Sequence, residues 1–330
     1  MTASLSATWA HVIAPRGASA ATPAVPQSAF NASHAHDPPI RRRVVVLTSL
    51  SVGSSGHLLR AAQGAAAMGA ELQLAYLQLE GVDPWSDPMA RLSQRARFLR
   101  RHVALPVEVV PQPVQTSAAL LLVCRDASLV CLVDGEPSPS SIQRLSPVVR
   151  ALLSRGNRPV WWVHQSDLET STPALCCLSS VNAPETEWTA WSPLLWHLPS
   201  LQLLHVLPDL TEQAVTDDMA ELLLLEHQLR KARVGALQAL ETITSTWRAS
   251  GRRMSLQVLL GGFEEQLVNH MAAHKPWLVV IGSRWHTLSF RTTLRRLALI
   301  RDQGADAVIV PRERRSWRSW LYGWIRGAVA

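Results

Sequence analysis

The sequence predicts an α/β protein made of two consecutive halves, each a five-stranded parallel sheet with helices on both faces. Three observations carry this expectation. Short, β-branched apolar runs alternate with longer stretches of helical periodicity, and strands that alternate with helices form parallel sheets covered on both sides. The alternation completes one course by residue 163 and starts again at 174, as a diverged tandem duplication does. Gly69, Gly156, Gly251 and Gly304 each follow a helical stretch, where glycine serves as a stop.

Taken in order, residues 44–50 read as a buried strand. The run Ser51-Val52-Gly53-Ser54-Ser55-Gly56 is a turn, and residues 57–68 form a helix of small residues. A strand at 72–77 follows, then a basic helix over 87–102 that opens on Asp87-Pro88, a good helix start. A strand at 107–110, a helix at 114–125 and a strand at 129–133 come next. A helix at 140–154 and a strand at 159–163 complete the first half. Residues 165–172 read as a linker. The second half gives a strand at 174–178, a short Trp-rich helix at 187–197 and a strand at 201–207. One long helical stretch covers 212–250. Strands at 255–260, 278–281 and 307–310 then alternate with helices at 264–274 and 291–303.

A length of 330 residues accommodates two ordinary domains. With 47% hydrophobic and 17% charged residues, the composition is that of a folding chain rather than a disordered one. The longest apolar runs, such as residues 118–123, fall far short of the roughly 18–20 residues of a membrane span. The four cysteines, Cys124, Cys131, Cys176 and Cys177, form no CxxC pair and no zinc spacing. Cys176 and Cys177 are neighbours in one strand, so they read as buried small apolar residues in a reducing, cytoplasmic setting.

The net charge of +7 is concentrated at the ends. Arg16, Arg41, Arg42 and Arg43 against Asp37 give the first 43 residues +3, and Arg312, Arg314, Arg315, Arg318 and Arg326 against Glu313 give residues 312–330 +4. The remaining body is neutral, which argues against a large nucleic-acid surface. Residues 1–42, rich in Ala, Ser and Pro, read as a disordered tail without the layout of a secretory signal.

The stretch His274-Lys275-Pro276-Trp277-Leu278-Val279-Val280-Ile281-Gly282-Ser283-Arg284 and the segment Ala305-Asp306-Ala307-Val308-Ile309-Val310-Pro311-Arg312 are similar to the fourth strand with its phosphate loop, and to the final strand, of the universal stress protein family. Residues 128–135 and 158–164 resemble the same two segments more weakly. The resemblance implies two tandem universal-stress-type domains (adenine nucleotide alpha hydrolase-like), residues 43–164 and 173–312, with a basic Trp-rich tail at 313–330. It also implies intramolecular pairing of the two domains through their last strands, which would cover two sheet edges.

Nucleotide-binding members of that family carry Gly-x2-Gly-x9-Gly-Ser/Thr after the fourth strand, because glycines let backbone N–H groups approach phosphate and a helix N-terminus favours negative charge. In this register Gly282 stands first, Trp285 replaces the second glycine, and Arg295 and Arg296 occupy the third pair. In the first half the register starts at Gly135 and meets Ser138 and Val148. The acid that the family places after its first strand is missing from Thr48-Ser49-Leu50-Ser51 and from Leu178-Ser179-Ser180-Val181. The expectation is a chain with lost or altered ATP binding and no cofactor. The alternative is a nucleotide sensor in which Gly282, Ser283, Arg284, Arg295 and Arg296 hold ATP phosphates through side chains.

No Ser/His/Asp order and no Gly-x-Ser-x-Gly elbow supports a hydrolase. His270 and His274 stand four apart on a helix, but no HExxH pattern is completed, and a structural role is expected. The stripe Leu222, Leu225, Leu229, Ala232, Ala236, Leu240 and Ile243 makes the long helix amphipathic, packed on its own sheet; the other reading is a protruding arm for a partner. In the tail, Trp317, Trp320, Leu321, Trp324 and Ala328 share one helical face, while Arg314, Arg315, Arg318 and Arg326 lie largely elsewhere. Such a helix suits an anionic membrane surface or an unidentified protein partner. The sequence therefore reads as a non-enzymatic stress-response regulator, cytoplasmic and held in part at a membrane surface.

Overall fold

A computed structural model describes residues 42–78, 86–133, 139–165, 172–178, 195, 198, 200–208, 218–249, 251–283 and 289–311. The Trp-rich helix expected at 187–197, the tail at 313–330 and the N-terminal 41 residues lie outside these, apart from Leu195, which is helical and buried.

In chain order the first half contains β1 (Arg43–Thr48), α1 (Ser54–Ala67), β2 (Glu71–Tyr76), α2 (Pro88–His102), β3 (Val107–Val109), α3 (Ser117–Val123), β4 (Leu129–Val133), α4 (Pro139–Ala151) and β5 (Val160–Val163). The second half contains β6 (Ala174–Leu178), β7 (Ser200–Leu207), α5 (Met219–Ala249), β8 (Arg253–Leu260), α6 (Phe263–His274), β9 (Leu278–Ser283), α7 (Ser289–Asp302) and β10 (Asp306–Pro311).

The ten strands among the described residues join one sheet, in the order β3-β2-β1-β4-β5-β10-β9-β6-β7-β8. Read outward from the centre, the second half repeats the order of the first. Every neighbouring pair is parallel except β5 and β10, which run antiparallel with Ala307 opposite Trp162 and Ile309 opposite Val160. Alternation along the strands sorts the core into two layers. Val44 and Val46 belong to one layer, which also holds Leu58, Ala62, Leu92, Leu99, Ala236 and Leu240 from α1, α2 and α5. Val45 and Leu47 belong to the layer on the opposite face, with Leu120, Val149, Leu267 and Leu297 from α3, α4, α6 and α7.

Local chemistry sets several boundaries. Asp87 caps α2 by accepting from the N–H of Ala90 at 2.9 Å, with Pro88 in the first turn. α1 starts earlier than the apolar pattern suggests, because Gly53 turns the chain at φ 85 and the first turn is built from small polar residues. The helix expected from 114 starts at Ser117. Val114 is instead extended and bridges Leu77, and Thr116 caps the helix through the N–H of Ala119 at 3.1 Å. α4 carries Pro147 and ends in a π-type turn, Leu152–Gly156, closed by Asn157 in the left-handed region at φ 47.

Candidate functional site

At the carboxyl end of β1, where an open α/β sheet usually receives its ligand, the chain builds a closed turn. Thr48 is buried, and its Oγ1 accepts the N–H of Leu50 at 3.0 Å. Leu50 has φ 60 and turns its side chain into the core with Leu58 and Leu92. The stretch where the resemblance would place an acid thus holds a buried hydroxyl and a leucine packed into the core. In the second half, His205 on β7 donates from Nδ1 to the carbonyl of Leu178, the last residue of β6, at 2.8 Å. Burial lowers the His205 pKa, so the ring is neutral.

Gly282 lies near the end of β9, half-buried and opposite Val310. Ser283 is the last residue of that strand, and its side chain, like the whole of Arg284 and Trp285, lies outside the described residues. Arg295 and Arg296 sit well inside α7, away from its first turn. Both turn toward Glu264 in the first turn of α6. Arg295 Nε lies 3.0 Å from Oε2 and Arg296 Nε 4.0 Å from Oε1. Arg296 also stacks over Phe263 at 4.1 Å, and burial lowers its pKa. The two arginines are thus brought to one carboxylate.

Among the described residues, one buried polar cluster is not marked by the motifs. Asp306 opens β10 and is fully buried, and so is Arg60 on α1. Arg60 Nε donates to Asp306 Oδ2 at 2.6 Å. The same carboxylate accepts from Trp161 Nε1 at 3.3 Å and from the backbone N–H groups of His164 at 2.7 Å and Gln165 at 2.9 Å. The Arg60 guanidinium lies 5.0 Å from the ring centroid of Trp277. His57 Nε2 donates to the carbonyl of His164 at 2.8 Å. Burial pushes the Asp306 carboxyl up from its ordinary range; Arg60 and the two backbone N–H groups pull it back.

This cluster ties α1 and the end of β5 in the first half to β10 in the second. A buried ion pair with every carboxylate lone pair engaged fixes geometry more than it adds stability, although removing one partner is costly. Its signals in the sequence are a lone arginine in the small-residue helix His57-Leu58-Leu59-Arg60-Ala61-Ala62 and a lone acid opening an apolar strand. On the opposite face Arg150 of α4 reaches over Phe290 of α7 at 5.8 Å.

His270 and His274 on α6 stack with centroids 4.4 Å apart. His270 is buried, and burial followed by the neighbouring His274 lowers its pKa to about 4. Among the described residues no group of three metal-ligating side chains comes together. Cys124, Cys131, Cys176 and Cys177 are all free and buried, and burial raises each thiol, Cys124 and Cys177 to about 12.

The stripe expected on the long helix is only partly a packing face. Leu229, Ala236 and Leu240 are buried, and Thr244 and Trp247 continue the row. Leu222 and Leu225 are half-buried. Ala232 is exposed, because the helix turns that position from the sheet, and the side chain of Ile243 lies outside the described residues. No described helix is long and apolar enough to cross a membrane.

No family model matches the sequence, and no curated protein is significantly similar to it. Solved structures do resemble the fold. A universal stress protein from Archaeoglobus fulgidus DSM 4304 is 12% identical, with a TM-score of 0.54 over 82% of this chain and 98% of that one. A protein of unknown function from Pseudomonas aeruginosa PAO1 is 16% identical, with a TM-score of 0.56 over 82% of this chain and 93% of the other. A putative universal stress protein from Pseudomonas aeruginosa UCBPP-PA14 gives the same figures. The likeness runs through most of the sheet, and the chain has the fold seen in universal stress proteins.

Proposed function

We propose that this chain is a non-enzymatic regulatory protein of the universal-stress type, with lost or altered ATP binding, acting through protein or membrane-surface contacts. The observation that carries this reading is the turn after β1: it holds no acid, Leu50 turns into the core from a left-handed backbone, and the Leu50 N–H is already taken by Thr48 Oγ1. Engagement of Arg295 and Arg296 with Glu264 supports the same reading. The two halves act as one tandem scaffold, and the free buried cysteines suit a reducing, cytoplasmic compartment.

One observation favours a second reading. The Arg295 side chain is 74% exposed, so it is able to exchange Glu264 for a phosphate without unpacking the helix. That reading is an ATP sensor with a substituted phosphate site. Calorimetric titration of the full chain with Mg-ATP separates the two. No saturable heat up to millimolar ATP is the expected result. Micromolar binding that disappears in the Arg295→Ala, Arg296→Ala double variant would establish the sensor instead.

The tail residues Trp317, Trp320, Leu321, Trp324, Arg314, Arg315 and Arg318 supply the proposed membrane or partner contact. Flotation with anionic liposomes is expected for the full chain and lost without residues 313–330. Equal flotation of both forms would remove the membrane from the proposal.

A further inference from the structure

α5 is longer than the surface it covers. Its 31 residues span about 46 Å at 1.5 Å per residue. The eight residues of β8, into which it leads, span about 26 Å. The carboxyl half packs on the sheet through Ala236, Leu240 and Trp247, whereas no residue from Met219 to Gln228 is buried. The overhang exposes Met219 by 68%, Leu223 by 59% and Leu224 by 56%, and Val234 and Leu237 are exposed beyond it.

Four of these apolar residues line up with two charges. Met219, Leu223, Glu226, Arg230, Val234 and Leu237 follow one another at steps of four, three, four, four and three. At about 100° per residue they fall on one narrow face. All six are exposed, and among the described residues neither Glu226 nor Arg230 is in an ion pair. The row is nearly symmetric about Gln228: Met219 and Leu237 stand nine residues to either side, Glu226 and Arg230 two, and Leu223 and Val234 five and six.

We propose that this stripe is a self-docking surface, on which α5 of a second copy lies antiparallel, crossing at Gln228. In that arrangement Glu226 of each copy meets Arg230 of the other, Met219 meets Leu237, and Leu223 meets Val234. The pairing is isologous, so each contact occurs twice. A parallel arrangement would set Glu226 against Glu226 and Arg230 against Arg230, which charge repulsion opposes. One helix pair of about five turns buries less than the roughly 1,600 Å² of a standard interface. The dimer is therefore concentration-dependent.

Sedimentation velocity of the full chain, from low to high micromolar concentration, tests this. The expected result is a rise in mass from 36.3 kDa towards twice that value. Glu226→Arg and Leu223→Asp should each hold the chain monomeric with unchanged circular dichroism. Exchanging the charges, Glu226→Arg with Arg230→Glu, should restore the dimer. A dimer that persists in the single variants overturns the proposal, because another surface then holds it. A wild-type monomer at every concentration also overturns it. If residues 219–237 of such a monomer then gain hydrogen-exchange protection on anionic vesicles, the stripe faces lipid. If they lose protection when residues 313–330 are removed, the chain's own tail covers it.

Discussion

α2 and α5 occupy the same topological slot, the crossover from the second to the third strand of their half, and they use it differently. α2 has 15 residues, a capped start, and Leu92, Ala96 and Leu99 buried on the sheet. α5 has twice the length, buries side chains only from Leu229 onward, and carries Leu223 and Leu224 into solvent. A helix that needs only to cover a sheet stops where the strand stops. One that overshoots and keeps its apolar residues has another surface to meet. The seam shows a second inequality. Asp306 opens β10 with a buried ion pair to Arg60, whereas Pro159 precedes the equivalent strand β5.

The largest expected effect breaks the seam. Asp306→Ala leaves Arg60 buried without its carboxylate and should cost about 3–5 kcal/mol in urea unfolding. Pro159→Ala should cost far less. Equal losses would mean that the two halves share the seam evenly.

The two ends of α5 come next. Leu240→Ala should cost about 2–5 kcal/mol, as a fully buried leucine does. Leu223→Ala in dilute solution should stay within about 0.5 kcal/mol. Similar losses at both positions would mean that the overhang is packed after all.

A smaller effect probes how closely α1 approaches the seam. A Cβ on Gly64 would lie 2.4 Å from the Trp161 ring. Gly64→Ala should therefore cost about 1–3 kcal/mol by overpacking, and an unchanged melting temperature would refute that approach.

A pH dependence draws on both halves and builds up only as the solution is acidified. Burial lowers His164 to about 3 and His270 to about 4, and it lowers His205 as well. Each ring gives up its proton more readily in the fold than in the unfolded chain. Stability is then full above about pH 6.5 and falls as pH drops toward 4, by up to about 1.4 kcal/mol per pH unit for each histidine. His164→Gln should flatten the profile by roughly one histidine's share, measured as unfolding free energy against pH.

Strand identity was legible in the sequence, because β-branched apolar runs bounded by turn residues admit few other structures. Leu129–Val133 and Ala174–Leu178 fall where the pattern puts them. Helix starts were less legible. Gly53 and Thr116 set them through backbone conformation and capping, which apolar periodicity does not register. At the candidate site, Gly282 and the missing acid could be read directly. That Arg295 and Arg296 meet Glu264 could not, since α6 and α7 are brought together only by the sheet. The pairing of Arg60 with Asp306 spans 246 residues and follows from topology rather than from any local motif. The overhang of α5 was hidden for a related reason: a continuous apolar stripe does not record where the sheet beneath it ends.

The account rests on α5 being an arm at one end and a sheet cover at the other. Native-state hydrogen exchange of the full chain in dilute solution tests this most directly. The account predicts strong protection from Ala236 to Trp247, comparable with Leu92 to Leu99 in α2, and fast exchange from Met219 to Gln228. Uniform protection along the whole of α5 in dilute solution would contradict it.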